Sequence, residues 1–399
     1  MISVAEAMQI VLTHSGKLQP ENKALPDALG LVLSENVISS AHIPPFDQSA
    51  MDGYALRFAD LETFVQLQIY GEAPAGNPAL PPLPDGFAAR IFTGAPVPPN
   101  ADTVVMQEKV TVTGNLLTVA DPLLKSGANI RVKGSQCKQG DVVLPAGIQL
   151  TAGAIGFLAM IGKQQVLVQP PPRIAILVTG KELVVPGQQL LPGQVYDCNS
   201  YSLQAALKNM HLPAPAIYRL PDDLAQITDC LTQILPSCDI ALITGGVSVG
   251  DYDLVPRALQ LCGVQTLFHK VKQKPGKPLL LGKKKQCLVF GLPGNPASVF
   301  TCFYRYVVPA IQNMMAMPFY PNGHSCQLAS EWHKKPGLTV LLKGNINADG
   351  YAVPLPNQES YLMDSFAYAN CLIELPEEQT RFEAGQAVKV HFLHYPFMH

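Results

Sequence analysis

Charge is scarce in this chain and neither sign leads. Charged residues make up 15% of 399, and 28 Lys and Arg stand against 30 Asp and Glu, a net charge of −2. That balance leaves no electrostatic footprint for nucleic acid or an anionic membrane surface. No basic leader or cleavage pattern follows Met1, so no signal peptide is expected. The longest apolar stretch, 150–161, is too short and too glycine-broken to span a bilayer. The nine cysteines, from Cys137 to Cys371, have no CxxC spacing, which speaks against a structural zinc site. Their odd number and apolar settings fit reduced core thiols in the cytoplasm. His391 and His394 are too slight a pair to argue for a metal. Neither GxxxxGK[ST] nor GxGxxG after a strand occurs, so neither of those loops holds a nucleotide. A GxSxG elbow is also missing, and the nine His residues suggest no hydrolase triad.

What is present is apolar: 48% of the chain is hydrophobic, enough for a sizeable core, and the length suits two to four domains. The stretch 239–253 organises the rest. Ile240 to Ile243 is a short apolar run suited to a strand buried on both faces. Thr244-Gly245-Gly246 then turns the backbone and opens its N–H groups to a ligand. Ser248, Asp251 and Asp253 follow. In a parallel sheet this loop lies at the carboxyl ends of the strands, where ligands bind. Anion-binding amides beside carboxylates suit a phosphate-bearing substrate with a divalent cation. The same residues would also serve a plain strand-to-helix connection, with Ser and Asp as caps.

Taken in order, Ser3 and Glu6 spell a capping box, and Val4, Ala7, Met8, Val11 and Leu12 repeat at helical spacing. The segment 43–138 is proline-rich with short strands such as Val104-Val105 and Val110-Thr-Val112, and reads as a small β-rich domain inserted into another, 1–42 plus 139–170. Helical sequence resumes at 151–160, with an apolar face suited to packing on the first helix. From 171 to 316, three apolar strands each run into a glycine loop, at Gly180, Gly245 and Gly294. Three such units predict a doubly wound α/β domain. Beyond 317, short alternating runs at 338–342, 371–375 and 387–391 predict a C-terminal β domain.

The three loops bring Thr179, Lys181 and Glu182, then Ser248, Asp251 and Asp253, then Asn295 and Ser298 to one edge. Lys274 and Lys277 flank a Pro-Gly turn, which can hold two ammonium groups near one anion. Glu182 and Asp253 are hard oxygen ligands that suit Mg²⁺. Such a site favours phosphoryl or anhydride chemistry. Each residue also has a plainer use: the lysines as solvated charges, Glu182 as a helix cap, Asn295 and Asp52 as shapers of their turns.

Pro44-Pro-Phe-Asp-Gln-Ser-Ala-Met-Asp-Gly-Tyr-Ala55, Thr93-Gly-Ala-Pro-Val-Pro98, Ala101-Asp-Thr-Val-Val-Met-Gln-Glu108 and Asn129-Ile-Arg131 closely resemble the signature of MoeA-type molybdopterin molybdenumtransferases, which also form the E domain of gephyrin. Thr179-Gly-Lys-Glu-Leu183, Thr244–Asp251, Lys274-Pro-Gly-Lys-Pro278 and Leu292-Pro-Gly-Asn-Pro-Ala-Ser298 complete the set in the same order, over nearly the whole chain. The resemblance implies a homodimer of four-domain subunits, with a central domain like the molybdopterin-adenylylating fold. It implies transfer of molybdenum from molybdate to adenylylated molybdopterin, with hydrolysis of the anhydride, release of AMP and help from Mg²⁺. Carried over by position, Lys274, Lys277, Ser298 and Ser360 resemble molybdate ligands. Asp52, Thr93, Glu182, Asp222 and Asp253 resemble the family's functional polar residues, and Gly245, Gly246 and Ser248 a pterin site. Molybdopterin adenylyltransferase and acceptor molybdoenzymes are the implied partners.

Three positions depart from the family pattern. Gln136 stands where a carboxylate is usual, Lys181 replaces an Asp, and Leu338 follows Pro336-Gly337 where an Arg is usual. Charge-assisted contacts of that kind are worth roughly 1.5–3 kcal/mol. The departures keep open a diverged paralogue that binds molybdopterin or a partner protein with little insertase activity. A nucleotide-pyrophosphate hydrolase on the same α/β fold is a third reading, opposed by the lysine pair and both β domains.

Overall fold

The computed structural model describes residues 1–246, 254–318 and 321–393. By compactness the chain divides into two units. One comprises Met1–Glu21, Gly30–Val32 and Leu167–His399, the other Asn22–Leu29 and Leu33–Val166.

The centre of the first unit is a six-stranded sheet in the order Ala216–Leu220, Ile174–Thr179, Ile240–Thr244, Cys287–Leu292, Leu280–Lys284, Gln265–His269. The first four strands run parallel and the last two join antiparallel. Strand side chains alternate between faces. Ile174, Ile176, Val178, Leu242 and Phe290 enter one core, with Val4 and Val11 of the first helix and Leu203 and Leu207 of Asn199–Asn209. Ala175, Leu177, Ala241, Ile243 and Val289 enter the other, with helices Leu224–Ile234 and Leu254–Leu261. Burial on both faces explains why these strands read as unbroken apolar runs.

The first helix, Val4–His14, carries the predicted capping box, with Ser3 and Glu6 bonded reciprocally. Its apolar face finds a partner in Val308–Met314, where Asn313 Nδ2 donates to the carbonyls of Leu12 and Ser15. The helix Ala152–Met160 lies in the other unit and packs on the turn Leu25–Asp27. The helix beginning at Pro296 widens to a π turn over Phe303–Val307, where Val308 N–H reaches Phe303 O. Pro309, which has no N–H to give to Arg305 O, accounts for the change of pattern.

In the C-terminal part of this unit, Thr339–Ile346, Tyr351–Pro354, His324–Leu328, Ala387–Phe392 and Cys371–Leu375 pair in sequence around a ring that closes back on Thr339–Ile346. The predicted β domain is thus a small barrel, with Leu342, Ile373 and Val390 inside. Gln273–Lys274 adds to it in parallel with Thr339 and Val340. The second unit is built on a six-stranded sheet, ordered Thr103–Met106, Gly53–Leu56, Phe87–Ile91, Leu67–Ala73, Leu116–Val119, Val110–Thr113. Among the described residues no helix is long and apolar enough to cross a membrane.

Candidate functional site

Four parallel strands end side by side, and each is followed by a residue singled out from the sequence. The strand order reverses between Ile174–Thr179 and Ile240–Thr244, the switch point at which open α/β sheets bind ligands. Gly245 and Gly246 sit there with φ of +89° and +61°. A Cβ on Gly245 would lie 2.5 Å from Thr179 O, so only glycine satisfies both the turn and the approach. On the neighbouring loop, Gly180 has the Glu182 carboxylate folded over it: a Cβ there would meet Oε1 at 2.9 Å. Asp222 follows the edge strand, and its Oδ2 accepts the Lys181 N–H at 3.3 Å. Glu182 and Asp222 are both exposed. Ser248, Asp251 and Asp253 lie outside the described residues.

The third loop adjoins the second, since a Cβ on Gly294 would come 3.9 Å from Gly245 Cα. It is anchored by Asn199 Nδ2, which donates to Gly294 O at 3.0 Å. Asn199 itself is set by the helix start, where Asp197 accepts from Ser200 N–H and Oγ–H at 3.0 and 2.5 Å. Asn295 precedes helix Pro296–Cys302 without capping it, and its Nδ2 donates to Ser360 Oγ at 2.9 Å. Ala297 N–H donates to Ser360 O at 3.1 Å. Ser298, in the same first turn, is buried. The Lys274–Lys277 turn presses on this helix: a Cβ on Gly276 would meet Cys302 Sγ at 2.4 Å. Both lysines are exposed.

Lys274 also walls a cavity of about 360 Å³ with His333, Lys334, Lys335, Leu338, Gln358 and Glu359. Four basic side chains around one hollow favour an oxyanion. Lys334 Nζ is committed to Leu338 O at 3.0 Å and Glu377 O at 3.4 Å, and burial lowers its pKa. Lys277, Ser298 and Ser360 are not part of the cavity wall. Lys343, one of the basic residues that could stand in for the missing arginine, does not line the cavity; it builds the segment that presents Ser360. Its buried ammonium donates to the carbonyls of Asn357, of Glu359 at 3.4 Å and of Leu362 at 2.9 Å. Its main chain exchanges two further bonds with the Gln358 side chain, at 2.9 and 2.8 Å. Burial lowers its pKa. The signal available was a lone lysine directly after the apolar run Val340–Leu342.

In the second unit Asp52 and Thr93 form a pair. Asp52 Oδ1 accepts the Thr93 N–H and Oγ1–H, both at 2.8 Å, and the backbone bond leads in lowering the carboxyl's pKa. Gly53 is pinned beside them, because a Cβ would meet Val105 O at 1.9 Å. Gln136 is exposed, with its N–H bonded to Ile43 O at 2.9 Å.

Three family patterns match in chain order: the MoeA N-terminal region (domains I and II) over 2–162, a probable molybdopterin binding domain over 175–313, and the MoeA C-terminal region (domain IV) over 325–393. A molybdopterin molybdenumtransferase of Haemophilus influenzae is 35% identical over 387 residues, covering 96% of this chain and 95% of that protein. This chain belongs to the molybdopterin molybdenumtransferase family. A second member, from Staphylococcus epidermidis, is 31% identical over 398 residues, with 98% and 95% covered. The solved molybdopterin biosynthesis MoeA protein of Pyrococcus horikoshii matches at a TM-score of 0.83 and 27% identity, over 98% of this chain and 99% of that one. The expected architecture, a central α/β domain with a β-rich N-terminal part and a C-terminal β domain, is therefore the family's own.

Proposed function

We propose that this protein is a molybdopterin molybdenumtransferase, which inserts molybdate-derived molybdenum into adenylylated molybdopterin and releases AMP by hydrolysis. The observation that carries the reading is the pairing of a glycine-lined switch point with a lysine-walled cavity on one unit, in a chain that matches enzymes of that name along nearly its whole length. The diverged-paralogue reading finds no supporting observation.

The roles divide by chemistry. Gly245 and Gly246 present backbone N–H groups to the pterin and its phosphate, and Ser248 is assigned to the same pterin site. Lys274, Lys277, Ser298 and Ser360 hold molybdate, the lysines as point charges and the hydroxyls as donors. Asn295 fixes Ser360 Oγ by donating to it. Asp52 and Thr93 are functional polar residues of the second unit, with Thr93 keeping the carboxylate ionised. Asp222 steadies the Gly180–Glu182 turn through the Lys181 N–H. The exposed carboxylate of Glu182, at the mouth of the glycine loops, fits Mg²⁺ as a hard oxygen donor, with Asp251 and Asp253 completing the set. When bound there, the ion would neutralise charge on the adenylyl anhydride.

The protein works as a homodimer in the cytoplasm, in keeping with nine cysteines that are all free thiols in this structure. It receives substrate from a molybdopterin adenylyltransferase and passes product to molybdoenzymes. Four parts divide the chain at 1–42 with 139–170, 43–138, 171–316 and 317–399. The test is AMP release and molybdenum insertion from adenylylated molybdopterin at micromolar molybdate with Mg²⁺. Turnover that depends on molybdate is expected. Tight substrate binding without turnover would overturn the transferase reading.

A further inference from the structure

At the end of the central sheet opposite the glycine loops, two of the nine free thiols meet. Cys238 Sγ and Cys287 Sγ are 3.4 Å apart, and both residues are buried. Cys287 opens strand Cys287–Leu292, and Cys238 stands two residues before the parallel neighbour Ile240–Thr244. Leu288 N–H bonds to Asp239 O, so Cys238 is about one residue off the position facing Cys287. A strand spacing of about 4.8 Å and a rise of about 3.3 Å then put the Cα atoms roughly 6 Å apart. That lies within the span of about 4.4–6.8 Å that a disulfide bridges. The sulfurs have to close by about 1.4 Å to reach bonding distance.

The two thiols are not equivalent. Cys238 walls a cavity of about 250 Å³ together with Pro172, Arg173, Pro213 and Ser237. Arg173 is held beside it by Asp239, through hydrogen bonds of 3.1 and 3.0 Å. The hydrogen bond between the two thiols draws the Cys238 pKa down, against burial, with Arg173 adding to the effect. Cys287 keeps its proton for that bond and is pushed far up, with burial adding to it. A thiol that lines a cavity, with a second thiol 3.4 Å behind it, is the arrangement of an attacking and a resolving cysteine.

We propose that Cys238 and Cys287 are a peroxide-oxidisable pair that closes to a reversible disulfide. The Cys238 thiolate attacks one oxygen of hydrogen peroxide. The O–O bond breaks, hydroxide leaves, and Cys238 becomes a sulfenic acid. Cys287 then attacks that sulfur, the S–O bond breaks, and water leaves with the help of the Cys287 proton. In sum, two thiols are oxidised, one peroxide is reduced, and two waters form. The bridge ties the entry ends of two adjacent central strands. The pair stands apart from the residues assigned to the transferase, so the inference is independent of that reading.

The test uses the intact chain. It is treated with hydrogen peroxide, alkylated in denaturant and mapped by peptide mass. The expected result is the loss of two alkylatable thiols of the nine, a linked Cys238–Cys287 peptide lighter by about 2 Da than its reduced parts, and full recovery with dithiothreitol. In Cys287→Ser the reaction stops one step earlier, and dimedone marks Cys238 as the sulfenic acid. In Cys238→Ser no bridge forms and Cys287 stays a thiol. Nine alkylated thiols after peroxide, a bridge between another pair, or a Cys287→Ser protein without a dimedone adduct on Cys238 would each overturn the proposal. The wild-type map decides the matter even if a serine variant fails to fold.

Discussion

Replacing Lys343 with methionine tests whether a buried cation, rather than a ligand, controls the proposed molybdate site. Lys343 is 2% exposed and its ammonium satisfies the carbonyls of Asn357, Glu359 and Leu362, which flank Ser360. Methionine fills most of the volume and donates nothing. A buried carbonyl left without its partner costs about 1–3 kcal/mol. Two of the three bonds are strong ones, and the chain at 359–361 can turn in part to solvent. A net loss of about 2–3 kcal/mol in the ordering of this segment follows. If molybdate binding requires Ser360 in its present place, that loss appears as a fall in affinity of roughly 30- to 150-fold. Titration calorimetry with molybdate reads it, and thermal melting reads the accompanying drop in stability. Pterin binding at Gly245 and Gly246 should stay within about twofold, because those loops do not touch Lys343. A variant that binds molybdate as the wild type does, with the same melting temperature, would refute the reasoning.

Lys277→Ala should weaken molybdate binding with little change in melting temperature, since the side chain is exposed; an unchanged dissociation constant would remove it from the site. Leu338→Arg should tighten molybdate binding, because it adds a guanidinium to the cavity wall; calorimetry showing no gain would mean that another group already fills that role. Stability should fall with acid in two stages set by one buried cluster. Burial raises the Glu374 carboxyl, but His391 at 2.8 Å and Arg305 at 3.1 Å outweigh it and bring the pKa to about 2. Burial and Arg305 lower His391, so it is neutral in the fold at pH 7. Both pKa values lie below their unfolded ones, so both contributions are present at neutral pH. The one from His391 is lost as pH drops below about 6.5, and the one from Glu374 between about 4.5 and 2. The Glu374 part is on the order of 3 kcal/mol. Urea midpoints from pH 7 to pH 3.5 should therefore decline less steeply in Glu374→Gln than in wild type, and parallel declines would contradict the assignment.

The parts of the fold legible in the sequence are those where burial writes directly into residue type. Ile174–Thr179, Ile240–Thr244 and Cys287–Leu292 are buried along their whole length, and each appeared as an apolar run ending in glycine. Ala216–Leu220 was not visible, because it is an edge strand with three of its five residues exposed and an arginine within it. Gln265–His269 and Leu280–Lys284 were hidden for a similar reason, the first being polar at both ends and the second running into two lysines. Three of the five barrel strands could be seen singly, His324–Leu328 and Tyr351–Pro354 could not, and closure depends on Thr339–Ile346 pairing with Cys371–Leu375, a contact between distant segments that no local pattern encodes. Lys343 illustrates the same limit in the site. Its charge was plain, but that it turns inward and is met by three carbonyls is set by a loop folded over it from 357–362.

The departure at Leu338 reads differently once the cavity is seen. A guanidinium in that position would supply two things, positive charge and a planar fork of donors. The first is retained without it, because Lys274 and Lys335 line the same hollow and attract an oxyanion without needing exact direction. Lys334 adds less than its place in the wall suggests, since its ammonium is spent on Leu338 O and Glu377 O. The second is lost, because ammonium groups on flexible stems bind as point charges and do not fix the angle between two oxygens. On the proposed assignment that direction comes from the hydroxyls of Ser298 and Ser360, which lie outside the cavity wall, Ser298 buried in its helix and Ser360 held by Asn295 at its Oγ and by Ala297 at its carbonyl. On that assignment the burden of orienting the anion shifts from residue 338 to the 357–362 segment and to the buried lysine that shapes it.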